Sequence, residues 1–258
     1  MADWNAERYH EVSSPQQGWG RRVLERLALD GGERVLDVGC GTGRLTAELT
    51  RRVPRGVVVG ADRSNTMLHT AARWLGEHGP RVRLVQADGA SLPFRRAFDA
   101  IFSNATFHWI PDHASLFRSL IMTLKPGGRL VAQCGGGPNL ALLYARADGV
   151  ARQSFFAQHF LDWTPPGNYA DVESTRRRLE SAGFVDVSVW LEAAPTSFPN
   201  HSEFQDFVAT VCLREHLARL PPADRPAFMR EIAMQAAADA PPFTLDYWRL
   251  NIDARRPA

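Results

Sequence analysis

Short apolar runs alternate with helical patterns over the first half of the chain. Five runs predict buried strands, at residues 34–38, 57–61, 82–86, 98–103 and 130–133. Between them, apolar positions recur every three or four residues, which predicts helices over 45–52, 66–78 and 114–124. Strands that alternate with helices pair in parallel through right-handed crossovers. The pattern therefore predicts an α/β fold with a doubly wound, mostly parallel sheet.

The regular alternation of predicted strands and helices ends after residue 138. Helical patterns cover residues 139–182 and 200–238, both broken by prolines, while residues 185–191 and 243–253 alternate in the manner of strands. We predict one seven-stranded sheet with an antiparallel edge strand. The whole chain, 1–258, is predicted as a single domain, with 1–30 as an N-terminal lid or helix and the two helical segments as cap insertions.

Composition narrows the choice of partners and compartment. The net charge of +2 gives no electrostatic reason to expect nucleic acid or an anionic membrane surface. The three cysteines are scattered without metal-ligand or redox spacing, which favours free thiols in a reducing compartment. The polar N-terminus is unlike a secretory signal, and no apolar run reaches membrane-spanning length. We therefore expect a cytoplasmic protein without metal, membrane or nucleic-acid partner, of undetermined oligomeric state.

A glycine-rich stretch follows the first predicted strand, with the sequence Gly-Cys-Gly-Thr-Gly at residues 39–43. Glycines allow a sharp turn and close approach of a ligand, and the following helix presents free N–H groups beside that turn. A dinucleotide site has its last small residue at position 44, where this chain has Arg44. The spacing favours a cofactor without a pyrophosphate, but glycines alone leave a dinucleotide loop or an ordinary turn open.

Two carboxylates end successive predicted strands. Asp62 closes the second strand, where a carboxylate can accept both ribose hydroxyls of a nucleoside, and Asp88 closes the third, placed to meet an adenine amino group. A single acid at such a place is often a helix cap or a turn residue. Acids at the same end of neighbouring strands, where open α/β sheets bind ligands, favour a nucleoside site instead.

These motifs together resemble the class I S-adenosylmethionine-dependent methyltransferases over residues 30–135. The resemblance rests on motif I at 35–43, the acid Asp62, the pair Ala87-Asp88, the segment 104–109 and the loop 124–128. It implies a Rossmann-like methyltransferase fold and S-adenosylmethionine as cofactor, with S-adenosylhomocysteine as product. The cofactor-binding residues that it implies are Asp37, Gly39, Gly41, Gly43, Asp62, Arg63, Ala87, Asp88, Gly89 and Asn104.

The resemblance also implies which part of the cofactor each region contacts. Gly39 and Gly41 adjoin the methionine portion, Asp62 the ribose and Asp88 the adenine. The backbone near Asn104 faces the amino end, which Asp37 also helps to orient. Tyr9 is the preferred residue for an N-terminal lid over the cofactor, although anchoring of a terminal helix by Trp4, Tyr9 and Trp19 would give the same pattern.

A narrower resemblance concerns the methyl acceptor. Asp3-Trp4-Asn5 with Tyr9, the stretch 104–113, and residues 209–214 are similar to the trans-aconitate methyltransferase group, while the cap segments match only in patches. The resemblance implies a small-molecule acceptor and O-methylation of a carboxylate. A carboxylate is already ionised at neutral pH and needs a positive charge, not a base. Arg214 is the first candidate to position it, ahead of Arg21, Arg22 and Arg152, and a solvated helix residue is its plain alternative.

Other acceptors and other activities stay open at this stage. A phenol, amine or ring-carbon acceptor requires a base, for which His108 and His113 lie just after the fourth strand; packing is the plain alternative for both and for Trp109. Residues 104–107 lack the proline pair typical of base-methylating enzymes, which disfavours nucleic acid. An NAD-dependent oxidoreductase shares the predicted fold but not Arg44, and a non-catalytic nucleotide-binding module would carry the same motifs.

Overall fold

The computed structural model describes residues 4–258, so Asp3 of the N-terminal motif lies outside the described residues. The strands are β1 (Arg34–Val38), β2 (Val57–Asp62), β3 (Val82–Gln86), β4 (Phe98–Asn104), β5 (Leu124–Gly135), β6 (Val185–Ala193), β7 (Thr196–Ser197), β8 (Thr244–Leu245) and β9 (Trp248–Arg255). The α-helices are α1 (Ala6–Val12), α2 (Ser14–Arg26), α3 (Arg44–Arg52), α4 (Asn65–Leu75), α5 (His113–Thr123), α6 (Ala141–Ala151), α7 (Val172–Ser181), α8 (His201–Phe207), α9 (Arg214–Arg219) and α10 (Arg225–Ala237).

The described chain forms two compact units, each built from several segments. The sheet unit consists of Ser14–Gly137, Gly167–Glu192 and Arg249–Ala258. The helical unit consists of residues 4–13, Pro138–Pro166 and Ala193–Trp248. The segment predicted as a cap at 139–182 is thus divided, since its last helix, α7, lies in the sheet unit and contacts α5.

The sheet unit contains a seven-stranded sheet with the strand order β3-β2-β1-β4-β5-β9-β6. β1 pairs in parallel with β2 and β4, β2 with β3, and β4 with β5, while β9 runs antiparallel to β5. The predicted doubly wound, mostly parallel sheet is therefore confirmed. The antiparallel strand lies one place inside the edge, because β6 is the outermost strand on that side.

Side chains that alternate along the strands pack into two separate cores. Leu36 and Ile101 belong to a cluster completed by residues of α5 and α7, such as Phe117 and Leu179. Their strand neighbours Val35, Ala100 and Phe102 belong to a second cluster with Val23 and Leu24 of α2 and with Leu27, which follows that helix. Because successive strand residues point to opposite faces, helices cover both faces of the sheet. This explains why the central strands are apolar throughout their length.

The last predicted strand is interrupted in the structure. Residues 243–253 were expected to form one strand, but β8 pairs with β7 and the chain then bends into β9. Ser13 alone separates α1 from α2, and Pro15 lies in the first turn of α2. Proline is tolerated there because the first helical N–H groups have no partner within the helix.

The helical unit is held by aromatic packing and by a charged pair. His216 lies edge-on to Trp163, with ring centroids 4.7 Å apart, and contacts Phe160 and Phe228. Burial lowers the pKa of His216 to about 4, so this imidazole is neutral. Arg146 donates to Asp239 at 2.8 Å. Among the described helices, none has both the length and the apolar character that a membrane span requires.

Candidate functional site

The glycine-rich loop between β1 and α3 is shaped by contacts that exclude side chains. Gly39 has φ +74°, and a Cβ built there would lie 2.0 Å from Thr106 Oγ1. Only glycine fits that position without movement of the backbone. At Gly41 an added Cβ meets nothing within 4 Å, so open space lies beside the middle of the loop. The loop therefore packs tightly on one side and leaves room for a ligand on the other.

Asp62 ties this loop to the end of β2. Its Oδ2 accepts a hydrogen bond from the Gly41 N–H at 2.8 Å, and its Oδ1 accepts one from the Ser64 N–H at 2.9 Å. Each carboxylate oxygen has further lone pairs, so these bonds orient Asp62 and still allow it to accept from ribose hydroxyls. The adjacent Arg63 is exposed, and its carbonyl accepts from Gln86 at the end of β3.

Asp88 has the structural role that a single acid at a strand end often has. It caps the short 3₁₀ turn Gly89–Ser91, with its Oδ1 accepting from the Ala90 N–H at 2.9 Å. Its side chain is exposed, whereas Gly89 is buried against Val38 and Ile110. The cap fixes the carboxylate beside Ala87 at the same sheet edge as Asp62, since Ala87 N donates to the Asp62 carbonyl.

Asp37 is a buried acid at the end of β1. Its Oδ2 accepts from the Thr46 hydroxyl at 2.7 Å, and only 2% of the residue is exposed. Burial raises the pKa of Asp37 to about 7; the Asp62 charge also raises it, and the Thr46 hydrogen bond lowers it. Asp37 is therefore partly protonated near neutral pH. Its hydrogen bond with Thr46 of α3 joins the two elements that the glycine-rich loop connects.

Unsatisfied amide oxygens lie next to the loop. Asn104 Nδ2 donates to the Gln16 carbonyl at 2.9 Å, which joins the end of β4 to α2. Asn104 Oδ1 and Gln16 Oε1 are buried and make no hydrogen bond within the described residues. A buried acceptor without a donor costs free energy, and the ammonium group of a methionine portion supplies donors. The space at Gly41 and these oxygens fit S-adenosylmethionine. Sequence reasoning did not single out Gln16.

His108 lies in the segment after β4, within the sheet unit. The Gly135 N–H donates to its Nδ1 at 3.2 Å, and its ring stacks on Tyr169 with centroids 5.6 Å apart. Burial, followed by the charge of Arg249 and then that of His113, holds the pKa of His108 well below its usual range. An Nδ1 that accepts a hydrogen bond requires a neutral ring protonated at Nε2. His108 is therefore a hydrogen-bond donor, not a base.

A buried polar network crosses β5 and β9 beside His108. Arg249 Nε donates to Gln133 Oε1 at 3.3 Å, and Gln133 Nε2 donates to Asn251 Oδ1 at 2.8 Å, an oxygen that also accepts from Arg26. The Arg249 guanidinium lies over the Trp19 ring, 4.5 Å from its centroid. The alternation in β9 placed Arg249 and Asn251 among polar residues that normally face solvent, yet both are buried.

Two of the predicted site residues, Tyr9 and Arg214, belong to the helical unit. The Arg214 guanidinium lies 3.9 Å from the centroid of the Trp4 ring, and the Trp4 and Tyr9 rings are 5.2 Å apart. Arg214 also forms an ion pair with Glu215 at 2.7 Å. The three residues form one cluster within that unit, and their assignments to acceptor and cofactor stay predictions.

The remaining candidates divide by their contacts. Arg21 is exposed and pairs with Glu48 at 3.0 Å, and Arg22 and Arg152 are exposed. His113 is buried, with its Nε2 2.9 Å from the Phe107 carbonyl. Within residues 4–258, no group of three or more histidine, cysteine or acidic side chains is arranged to hold a metal ion. The sheet unit thus brings together ten of the predicted residues, from Asp37 to Asn104, along with His108.

Comparisons with known proteins agree with this geometry. A family model described as a methyltransferase domain matches residues 35–128. A trans-aconitate 2-methyltransferase of Methylobacterium radiotolerans is 32% identical over 89% of this chain and 87% of its own length. A protein of the same name from Escherichia coli is 30% identical over 99% of both chains.

A solved structure extends the likeness to the fold. Phosphoethanolamine N-methyltransferase 2 of Haemonchus contortus, in complex with phosphomonomethylethanolamine and S-adenosylhomocysteine, superposes with a TM-score of 0.64. The match covers 98% of this chain and 57% of the other, at 18% sequence identity. At that identity the likeness concerns the fold alone, and it corresponds to the predicted Rossmann-like arrangement.

Proposed function

We propose that this chain, which belongs to the family of S-adenosylmethionine-dependent methyltransferases that includes the trans-aconitate 2-methyltransferases, methylates a carboxylate of a small organic acid. Family membership rests on the methyltransferase-domain match and on relatives at 30% identity or more over most of the chain. The acceptor class is the further step, and a trans-aconitate-like acid is the first candidate.

The hydrogen bond that His108 Nδ1 accepts from the Gly135 N–H is the observation that carries this proposal. A phenol or ammonium acceptor must lose a proton at or before methyl transfer. His108 cannot take it, because Nδ1 already accepts from the Gly135 N–H and Nε2 carries the ring proton. A carboxylate is ionised at neutral pH and requires no base. The donor at Nε2 suits an anionic acceptor instead.

The cofactor residues are proposed from the same sheet edge. The loop at 39–43 would adjoin the methionine portion, with Asp37 supporting the loop and Asn104 and Gln16 offering acceptor oxygens to the ammonium group. Asp62 with Arg63 would meet the ribose, and Asp88 with Ala87 and Gly89 would meet the adenine. When bound, S-adenosylmethionine would supply a methyl group carried on a sulfonium: the acceptor oxygen bonds to the methyl carbon, and the electron pair of the broken carbon–sulfur bond stays on sulfur.

The chain's own residues then align the acceptor and exclude water. His108 Nε2–H would donate to one acceptor oxygen, while contacts with Tyr169 and Trp109 hold its ring. Such positioning contributes more to an in-line displacement than acid–base chemistry does. Arg214 and Tyr9 of the helical unit stay proposals for the acceptor and for a lid, and the ion pair with Glu215 already balances the charge of Arg214.

An acceptor panel tests the proposal. The purified protein is assayed for S-adenosylhomocysteine release with di- and tricarboxylic acids including trans-aconitate, their carboxamides, and matched phenols and amines. We expect turnover with acids only and a product that is a base-labile methyl ester. Preferred methylation of a phenol or amine, or a product that resists base hydrolysis, would contradict it.

A further inference from the structure

We propose that Arg249 binds the carboxylate of the methyl acceptor, an inference that rests on the proposed function above. No sequence motif points to this residue, because it stands alone between Trp248 and Leu250 in the last strand. Its place in the sheet, its immobilised side chain and its field at His108 together support the assignment.

The position of Arg249 follows from the register of β9 on β5. Arg249 is the pairing partner of Gly135, whose N–H donates to His108 Nδ1. Gln133 of β5 pairs in turn with Asn104 of β4. The Asn104 carbonyl accepts a hydrogen bond from the Thr106 hydroxyl, and Thr106 packs against Gly39 of the glycine-rich loop. A continuous series of contacts therefore joins the glycine loop to Arg249 across the carboxyl ends of β4 and β5, where open α/β sheets bind their ligands.

The guanidinium is held in one orientation. Trp19 covers one face of it, and its Nε–H is bonded to Gln133, which Asn251 fixes in turn. Arginine presents a planar fork of donors that matches both oxygens of a carboxylate, and a fork that is already immobilised loses little entropy on binding. With only 2% of the residue exposed, water competes weakly for those donors.

The charge of Arg249 also reaches the proposed acceptor site. It lowers the pKa of His108, and it lowers that of Cys134 against the larger, opposite effect of burial. A carboxylate that accepts from His108 Nε2–H lies in the same positive field. Two donors on separate elements, one neutral and one charged, would thus select an anionic acceptor over its neutral amide.

The matched test compares Arg249→Lys with a second arginine-to-lysine variant on the same pair of strands. Arg26 belongs to the network that holds Arg249, so the control is Arg129→Lys in its place. Arg129 lies on the same strand pair, at the other end of the β5–β9 register, and its guanidinium donates to Asp253 at 2.7 Å. For Arg249→Lys we expect the acceptor KM to rise at least tenfold. The Kd for S-adenosylhomocysteine, measured by calorimetry, should stay within twofold of wild type. The preference for the charged acceptor, measured as the inhibition constant of the carboxamide divided by the KM of the acid, should fall toward one.

The control defines what a merely structural role would look like. Arg129→Lys should leave the acceptor KM and the acid preference unchanged. The inference is overturned if Arg249→Lys keeps the wild-type acceptor KM, or if both variants weaken acceptor and cofactor binding together. Should Arg249→Lys fail to fold, Gln133→Leu, which removes the oxygen that orients Arg249, must raise the acceptor KM instead. Failure of the wild type to methylate any acid refutes the proposed function itself, which is a different result.

Discussion

The buried carboxyl of Asp37 makes the stability of the sheet unit depend on pH in a direction opposite to that of most acids. Burial raises the pKa of Asp37 from 3.8 to about 7. Between these two values the folded chain holds a proton that the unfolded chain has lost, so the free energy of unfolding falls as pH rises through this window. At about 1.4 kcal/mol for each pKa unit, the loss between pH 4 and pH 8 amounts to about 4 kcal/mol.

Asp37→Asn removes this ionisation and keeps an oxygen that can accept from the Thr46 hydroxyl. We expect the variant to gain up to about 4 kcal/mol relative to wild type between pH 4 and pH 8. Urea unfolding at half-unit pH steps measures the difference, with circular dichroism and fluorescence required to coincide. In such a difference, the other titrating groups cancel.

A matched control separates burial from simple loss of charge. Asp162 is exposed and lies in the helical unit, at a positive φ that asparagine adopts readily. Asp162→Asn should give a pH profile parallel to wild type. Parallel profiles for wild type and Asp37→Asn would refute the reasoning, because they would mean that Asp37 is ionised in the folded protein across the whole range.

Two further predictions concern the loop and the thiols. Gly39→Ala places a Cβ against Thr106 at a positive φ, so we expect at least a tenfold loss of S-adenosylhomocysteine affinity by calorimetry, whereas Gly18→Ala, which meets nothing within 4 Å, should bind normally. Burial raises the pKa of the Cys134 and Cys212 thiols to about 12, and that of the Cys40 thiol well above its usual range. Because the thiolate is the reactive form, we expect Ellman's reagent at pH 8 to react with these thiols only after denaturation.

Much of the sheet unit could be predicted from local pattern. The strands at 57–61, 82–86 and 98–103 agree with β2, β3 and β4 to within one residue. Apolar strands flanked by amphipathic helices, and glycines at a strand end, are signals that lie within short stretches of chain. The cofactor family follows from the same stretches, because strand ends that follow one another along the chain also lie side by side in the sheet.

Long-range pairing decided the features that the pattern could not give. The alternation in β9 is equally consistent with polar residues that face solvent, and only the pairing of β9 with β5 buries Arg249 and Asn251 against Gln133. The proton position on His108 depends in the same way on Gly135, 27 residues further along the chain. Sequence by itself determined the sheet, the loop and the cofactor class. Tertiary structure decided which polar groups are buried, and burial sets their charge and their hydrogen-bonding role.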